Sequence, residues 1–143
     1  VSGFVGQFEH QMDEKGRVSL PSAFRREADS DSFVLLQWEP AYLTLFPAAK
    51  WAEVQGRLLE FRRSDARAWN QVRMIVANAV EVSPDKQGRI LVPAVLQAAA
   101  NLSGAVLLAG NIDRVELWNP ETYARTVQED AGDIRDFAHR LFG

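Results

Sequence analysis

Asp13-Glu14-Lys15-Gly16-Arg17-Val18-Ser19-Leu20-Pro21 and Asp85-Lys86-Gln87-Gly88-Arg89-Ile90-Leu91-Val92-Pro93 are two versions of one pattern, 72 residues apart. The match extends without a gap, so that Glu9 to Trp51 aligns on Glu81 to Tyr123. Identical residues recur at Glu9/Glu81, Asp13/Asp85, Gly16/Gly88, Arg17/Arg89, Pro21/Pro93, Ala28/Ala100, Leu35/Leu107, Leu36/Leu108 and Leu45/Leu117. Between them apolar residues fall opposite apolar ones, as in Val18/Ile90, Phe24/Leu96, Val34/Val106 and Phe46/Trp118. Self-similarity at a fixed offset marks an internal duplication.

Each copy reads as strand, tight loop, strand, short helix, two strands and a helix. Phe8 to Met12 and Val18 to Leu20 alternate apolar and polar residues around a loop that holds an Asp and a Gly, which is the pattern of a β-hairpin. Pro21 and Pro93 are expected in the first turn of short helices, Ser22 to Glu27 and Ala94 to Ala100. Phe33 to Trp38 with Leu43 to Phe46, and Ala105 to Ala109 with Arg114 to Trp118, are expected strand pairs. Pro47 is expected to open a helix from Ala48 to Phe61, with Trp51, Val54, Leu58 and Phe61 on one face. A second helix is expected from Ser64 towards Asn78, and Asn119-Pro120-Glu121 has the order of a helix start. In the last stretch, Asp133 to Phe142, the stripe Ile134, Phe137 and Leu141 is expected to dock on the body or on a partner. The resulting units are 7–49 and 78–121 for the two repeats, 50–77 for connecting helices and 122–143 for a C-terminal helical segment.

The whole chain has 143 residues, 47% of them hydrophobic and 24% charged, with a formal net charge of −3. This length buries a core without staples. There is no cysteine, which excludes a disulfide scaffold, a thiolate metal site and a cysteine nucleophile. His10 and His139 are the only imidazoles, so neither a metal site nor a cofactor is expected. No apolar run approaches membrane-spanning length, and the N-terminal residues lack a signal-peptide pattern, so the expected location is the cytoplasm, with no membrane partner. The negative total argues against nucleic-acid binding until it is resolved along the chain: residues 54–78 carry +3, residues 104–143 carry −3, and the two loops carry basic residues, Lys15 and Arg17 in the first and Lys86 and Arg89 in the second.

The loops therefore hold the candidate chemistry. Asp13 and Asp85 are read as loop-structuring residues that bond backbone N–H groups and the Arg four residues on, not as a general acid and base. Gly16 and Gly88 supply conformational freedom at the turn. The serines have no histidine partner, so no nucleophilic catalysis and no small-molecule substrate are expected. Trp51 and Trp118 read as packing residues, with Trp38 and Trp69 less determined, so base stacking on single strands has little support. Two equivalent loops, each presenting an Arg just past its tip, can approach a DNA duplex together and meet guanine edges or phosphates. The DNA-contacting candidates are Arg17, Arg89, Lys15, Lys86, Arg25 and Arg26. The second short helix has Gln97 and Ala98 where the first has Arg25 and Arg26, so the second copy is expected to present less positive charge.

The two Asp-x-x-Gly-Arg-x-x-x-Pro motifs, followed by Arg114-Val115-Glu116-Leu117-Trp118, resemble the MraZ family of bacterial transcriptional regulators, which are duplicated members of the SpoVT-AbrB superfamily. The resemblance covers nearly the whole chain. It implies an α+β, mainly β fold: a pseudo-two-fold, double-psi-like swapped-hairpin β-barrel built from two tandem SpoVT-AbrB repeats with flanking helices. It also implies a homo-oligomeric ring whose Asp-x-x-x-Arg loops face double-stranded DNA. Binding to direct repeats in the promoter of the division and cell-wall gene cluster, with repression and a nucleoid location, is implied as well. The alternatives are an antitoxin-like DNA-binding regulator and an oligomeric scaffold that binds no DNA.

Overall fold

A computed structural model describes residues 3–143, and in it the first two strands of each copy find their partners in the other copy. The first copy contributes β1 (Gln7–Gln11), β2 (Arg17–Ser19), α1 (Ser22–Ala28), β3 (Phe33–Glu39) and β4 (Tyr42–Pro47). Two helices follow, α2 (Ala48–Ser64) and α3 (Ala68–Ala77). The second copy contributes β5 (Val80–Val82), β6 (Arg89–Leu91), α4 (Ala94–Ala99), β7 (Ala105–Gly110) and β8 (Val115–Trp118). The chain ends in α5 (Pro120–Tyr123), a π-helical stretch over Ala124–Glu129, and α6 (Arg135–Phe142). The result is a mixed α+β fold with a mainly antiparallel β core.

Six strands form an antiparallel sheet in the order β1-β7-β8-β4-β3-β5, and β2 pairs with β6 in a separate two-stranded ribbon. The hairpin expected between residues 8–12 and 18–20 closes only at its tip, where the Asp13 N–H donates to the Arg17 carbonyl. Beyond the tip β1 runs to β7 and β2 to β6. The 72-residue offset maps the pair Val18/Ile90 onto itself in the ribbon and Thr44/Glu116 onto itself in the sheet, so a local two-fold axis passes through both pairs.

One part of the gapless repeat alignment fails. Leu36 pairs with Thr44, and Ala109 pairs with Glu116, so the structural counterpart of Leu36 is Ala109 and not Leu108. The same shift places Leu107 opposite Glu9, whereas Val34 stands opposite Glu81. The second copy has one more residue between its short helix and β7. The first copy recovers the count through a register shift between Leu36 and Glu39. Because neighbouring strand residues face opposite ways, a one-residue error exchanges the two faces of the strand. Phe33 and Leu35 lie in the main core with Val106 and Leu108, while Val34 and Leu36 belong to a smaller cluster under the helices.

Other differences are local. Pro21, Pro47 and Pro93 occupy N-cap positions and not the first helical turn. Ser64 ends α2 instead of opening α3, and an Asp65 carboxylate oxygen accepts from the Arg67 N–H at the break. Phe61 leaves the buried side of α2 and is 61% exposed. The C-terminal stripe does not dock on the body: Ile134, Phe137 and Leu141 are each more than half exposed. No helix among the described residues is long and apolar enough to cross a membrane.

Thr44, on the local axis, is fully buried, and its hydroxyl finds no hydrogen-bond partner. Burying an unpaired hydroxyl is unfavourable, whereas an apolar isostere carries no such penalty. Thr44→Val should therefore raise the unfolding free energy by about 1 kcal/mol. Urea denaturation monitored by tryptophan fluorescence measures this, and a lowered midpoint would contradict it.

Candidate nucleic-acid interface

The ribbon has a dry side and an open side. Val18 and Ile90 are fully buried, so their neighbours Arg17, Ser19, Arg89 and Leu91 face outward, with Arg17 opposite Leu91 and Ser19 opposite Arg89. A two-stranded ribbon is one of the elements that the DNA major groove admits.

Each end of the ribbon carries one loop, and the two loops are bonded to each other's copy. The Leu20 N–H donates to the Gly88 carbonyl at 2.8 Å, and the Val92 N–H donates to the Gly16 carbonyl at 2.9 Å. Gly16 and Gly88 take φ of +86° and +79°, which L side chains rarely adopt. At Gly16 space is short as well, because an added Cβ would lie 2.9 Å from the Val92 carbonyl oxygen, whereas at Gly88 only the flexible end of Arg25 would have to move. A Cβ on Gly16 would meet the Gln97 amide, and one on Gly88 would lie 2.9 Å from the Arg25 guanidinium carbon.

The aspartates hold the loops. Asp13 Oδ1 accepts from the Lys15 and Arg17 N–H groups, and Asp85 Oδ1 accepts from those of Gln87 and Arg89. The other carboxylate oxygen takes the arginine side chain, Arg17 Nε at 2.7 Å and Arg89 Nε at 3.0 Å. Arg89 Nη1 also stands 3.9 Å from Asp13 Oδ2, linking the loops electrostatically. The Asp13 contact uses Nε of Arg17, which leaves its Nη edge to an outside acceptor. These bonds favour the carboxylate form: the Arg17 N–H lowers the Asp13 pKa and the Arg89 N–H lowers that of Asp85, against a smaller opposing effect of desolvation.

The six cation candidates fare differently. Arg17 and Arg89 lie on the open face, and Lys15 and Lys86 lie exposed in the loops. The lysines are not equivalent, since Lys15 corresponds to Gln87 and Lys86 to Glu14. Arg25 donates from Nε to the Leu20 carbonyl and lies over Gly88 of the other copy. Gln97 does the same at the opposite end, donating to the Val92 carbonyl and covering Gly16. The expected charge asymmetry is therefore reversed: the first copy's helix delivers its cation to the second copy's loop, and the first loop receives a neutral amide. Arg26 stands apart from the loops, in a cleft with Gly3, Val5, Ala23 and Glu27. Ser19 and Leu91 on the open ribbon, and Gln97 over Gly16, are residues that the motif itself does not single out. Their only signal in the sequence is that they align with Leu91, Ser19 and Arg25 across the repeat.

Arg114 has a structural role. It pairs with Asp113 at 2.8 Å and covers the Phe46 ring, and Asp113 also meets Lys50 of α2 at 3.2 Å. The Arg114 side chain, with Lys50 assisting, pulls the Asp113 pKa down to about 2.

The loop geometry makes Gly88→Ala destabilising by about 1–2 kcal/mol from backbone strain alone, measured by thermal unfolding, and an unchanged midpoint would contradict it. Asp13 and Asp85 titrate below the ordinary value of 3.8, so their contribution to stability is complete above that pH and is lost as pH falls beneath it. Carboxyl carbon NMR titration should give midpoints under 3.8 for both, and a midpoint at or above it would argue against the loop bonding.

The duplication has a counterpart in known proteins. The family model of the MraZ protein, described as "putative antitoxin-like", matches the chain twice, over residues 4–73 and 75–143. The transcriptional regulator MraZ of Lactiplantibacillus plantarum is 39% identical over 140 residues, covering 96% of this chain and 97% of that protein. That of Desulforamulus reducens is 40% identical over 140 residues, covering 96% of each chain. That of Leuconostoc citreum is 30% identical over 138 residues, again covering 96% of each. With both halves matched and the relatives spanned almost end to end, the chain belongs to the MraZ family.

Proposed function

We propose that the protein is a sequence-specific regulator of transcription that binds double-stranded DNA and has no catalytic activity. The observation that carries this reading is the pair of Asp-x-x-x-Arg loops, bonded together at the two ends of an exposed ribbon bearing Arg17 and Arg89. The relatives, named transcriptional regulators, support the class. In this reading Arg17 and Arg89 contact base edges or phosphates, and Lys15, Lys86 and Arg25 add attraction to the backbone. Asp13 and Asp85 orient the arginines. Arg26, away from the loops, contributes at most at long range. The units 7–49 and 78–121 each supply half of this face, and the exchange of β1 and β2 between copies supports a swapped-hairpin, double-psi-like barrel.

The finer parts of the proposal rest on family resemblance: repression at direct repeats in the promoter of the division and cell-wall gene cluster, at the nucleoid. A homo-oligomer, as a ring, belongs to the same reading. It is supported by apolar surface that the single chain leaves open, Phe61, Trp69 and Met74 on α2 and α3 and Phe137, Leu141 and Phe142 on α6. Several loop pairs on repeated boxes raise avidity by about 10²–10⁴ without any new contact, which offsets the acidic total of each chain. The description of the family favours one second reading, in which the open α6 face receives a toxin. Stable self-assembly that buries α6 in the protein alone would go against that reading.

Arg17→Ala should weaken binding to a promoter duplex by about 1–3 kcal/mol, roughly 5- to 150-fold, with the oligomer intact. If Arg17 meets a phosphate, the log–log salt dependence should also become shallower by about 0.9 for each phosphate no longer neutralised. Fluorescence anisotropy titrations at several salt concentrations measure both. Wild-type affinity in the variant would remove the loop from the interface.

A further inference from the structure

The local two-fold axis relates Arg17 to Arg89 and Ser19 to Leu91, and the second exchange is not conservative. At one end of the open ribbon Arg17 stands beside Leu91, with neutral Gln97 over the adjoining Gly16. At the other end Arg89 stands beside Ser19, with Arg25 over Gly88. Leu91 is 52% exposed, the one apolar residue on this otherwise polar face. Its position is not needed for the core, because Val18 and Ile90 fill the buried side and the equivalent position holds a serine.

An apolar side chain facing the major groove has one matching feature there, the C5-methyl group of thymine. From the placement of Leu91 against Arg17 we infer that Leu91 is a specificity-determining residue, which reads a thymine methyl next to the base pair or phosphate met by Arg17. Ser19 at the opposite end takes a hydrogen-bonding edge. The ribbon is then directional: one end reads a methyl group beside an arginine, and the other reads a polar edge beside two arginines. A site that matches it is asymmetric, and the subunit sits on that site in one orientation. This inference rests on the DNA-binding function proposed above.

The test uses the intact oligomer and duplexes selected by it from a random pool. In an enriched duplex each thymine is replaced in turn by deoxyuridine, which removes the methyl group alone. Burying one methyl group is worth a factor of about four in affinity, so one thymine or two adjacent ones should show about a fourfold loss with the wild-type protein. Leu91→Ser, which copies the residue already accommodated at position 19, should bind the uracil and thymine duplexes equally. Ser19→Leu should create a new uracil-sensitive position at the other end of the site. Selected duplexes that are insensitive to uracil throughout would overturn the role of Leu91 and leave the proposed function standing. Sensitivity that persists in Leu91→Ser would do the same. Enrichment of no duplex would overturn both.

Discussion

Two backbone hydrogen bonds, from the Leu20 N–H to the Gly88 carbonyl and from the Val92 N–H to the Gly16 carbonyl, tie each copy of the repeat to the other's loop. Their acceptors are glycines in the left-handed φ region, and the bonds flank the pair Val18 and Ile90, which stand opposite each other with both side chains buried. The consequences run outward from there. The two Asp–Arg loops come to rest at opposite ends of one ribbon. The short helices cross over, so that Arg25 and Gln97 each cover the other copy's glycine. Neither copy builds its part of the sheet alone, since β1 pairs with β7 of the second copy and β5 with β3 of the first. The proposed binding chemistry and the fold are thus coupled through the same few residues.

The duplication, the element types and the loop chemistry were legible in the residues, because a repeated Asp-x-x-Gly-Arg-x-x-x-Pro fixes turn geometry, charge and helix start together. Strand partnership was not. A short hairpin pattern describes a local tip, and the pattern is the same whether the strand beyond it pairs within its copy or across to the other. The one-residue displacement of β7 was hidden for a different reason. Val34-Leu35-Leu36 and Val106-Leu107-Leu108-Ala109 are continuous apolar runs buried on both faces, so alternation could not reveal which residue faces which way. The reversal of charge between the loops follows from the crossover, and it is invisible for as long as each helix is assigned to its own copy.

Charge is partitioned to suit the proposed face. Arg17, Arg89, Arg25, Lys15 and Lys86 gather at the ribbon and its loops, while Asp113 is engaged by Arg114 and Lys50 where α2 meets the β7–β8 turn. The acidic residues of the C-terminal segment, Glu121, Glu129, Asp130, Asp133 and Asp136, run from α5 to α6, outside the ribbon. Helices α2, α3 and α6 leave large apolar side chains open, which a chain acting alone would not need. The ribbon and the helical layer are separate surfaces, one suited to phosphates and base edges and the other to protein.

Whether the two loops act as one DNA-binding surface is decided by hydrogen exchange, measured by mass spectrometry with and without a duplex selected by the protein. Added protection is expected in the segments 13–19 and 85–91 together, because both loops belong to one ribbon. Protection confined to one loop, or found on α2 and α3 with the ribbon unchanged, would contradict a shared ribbon interface.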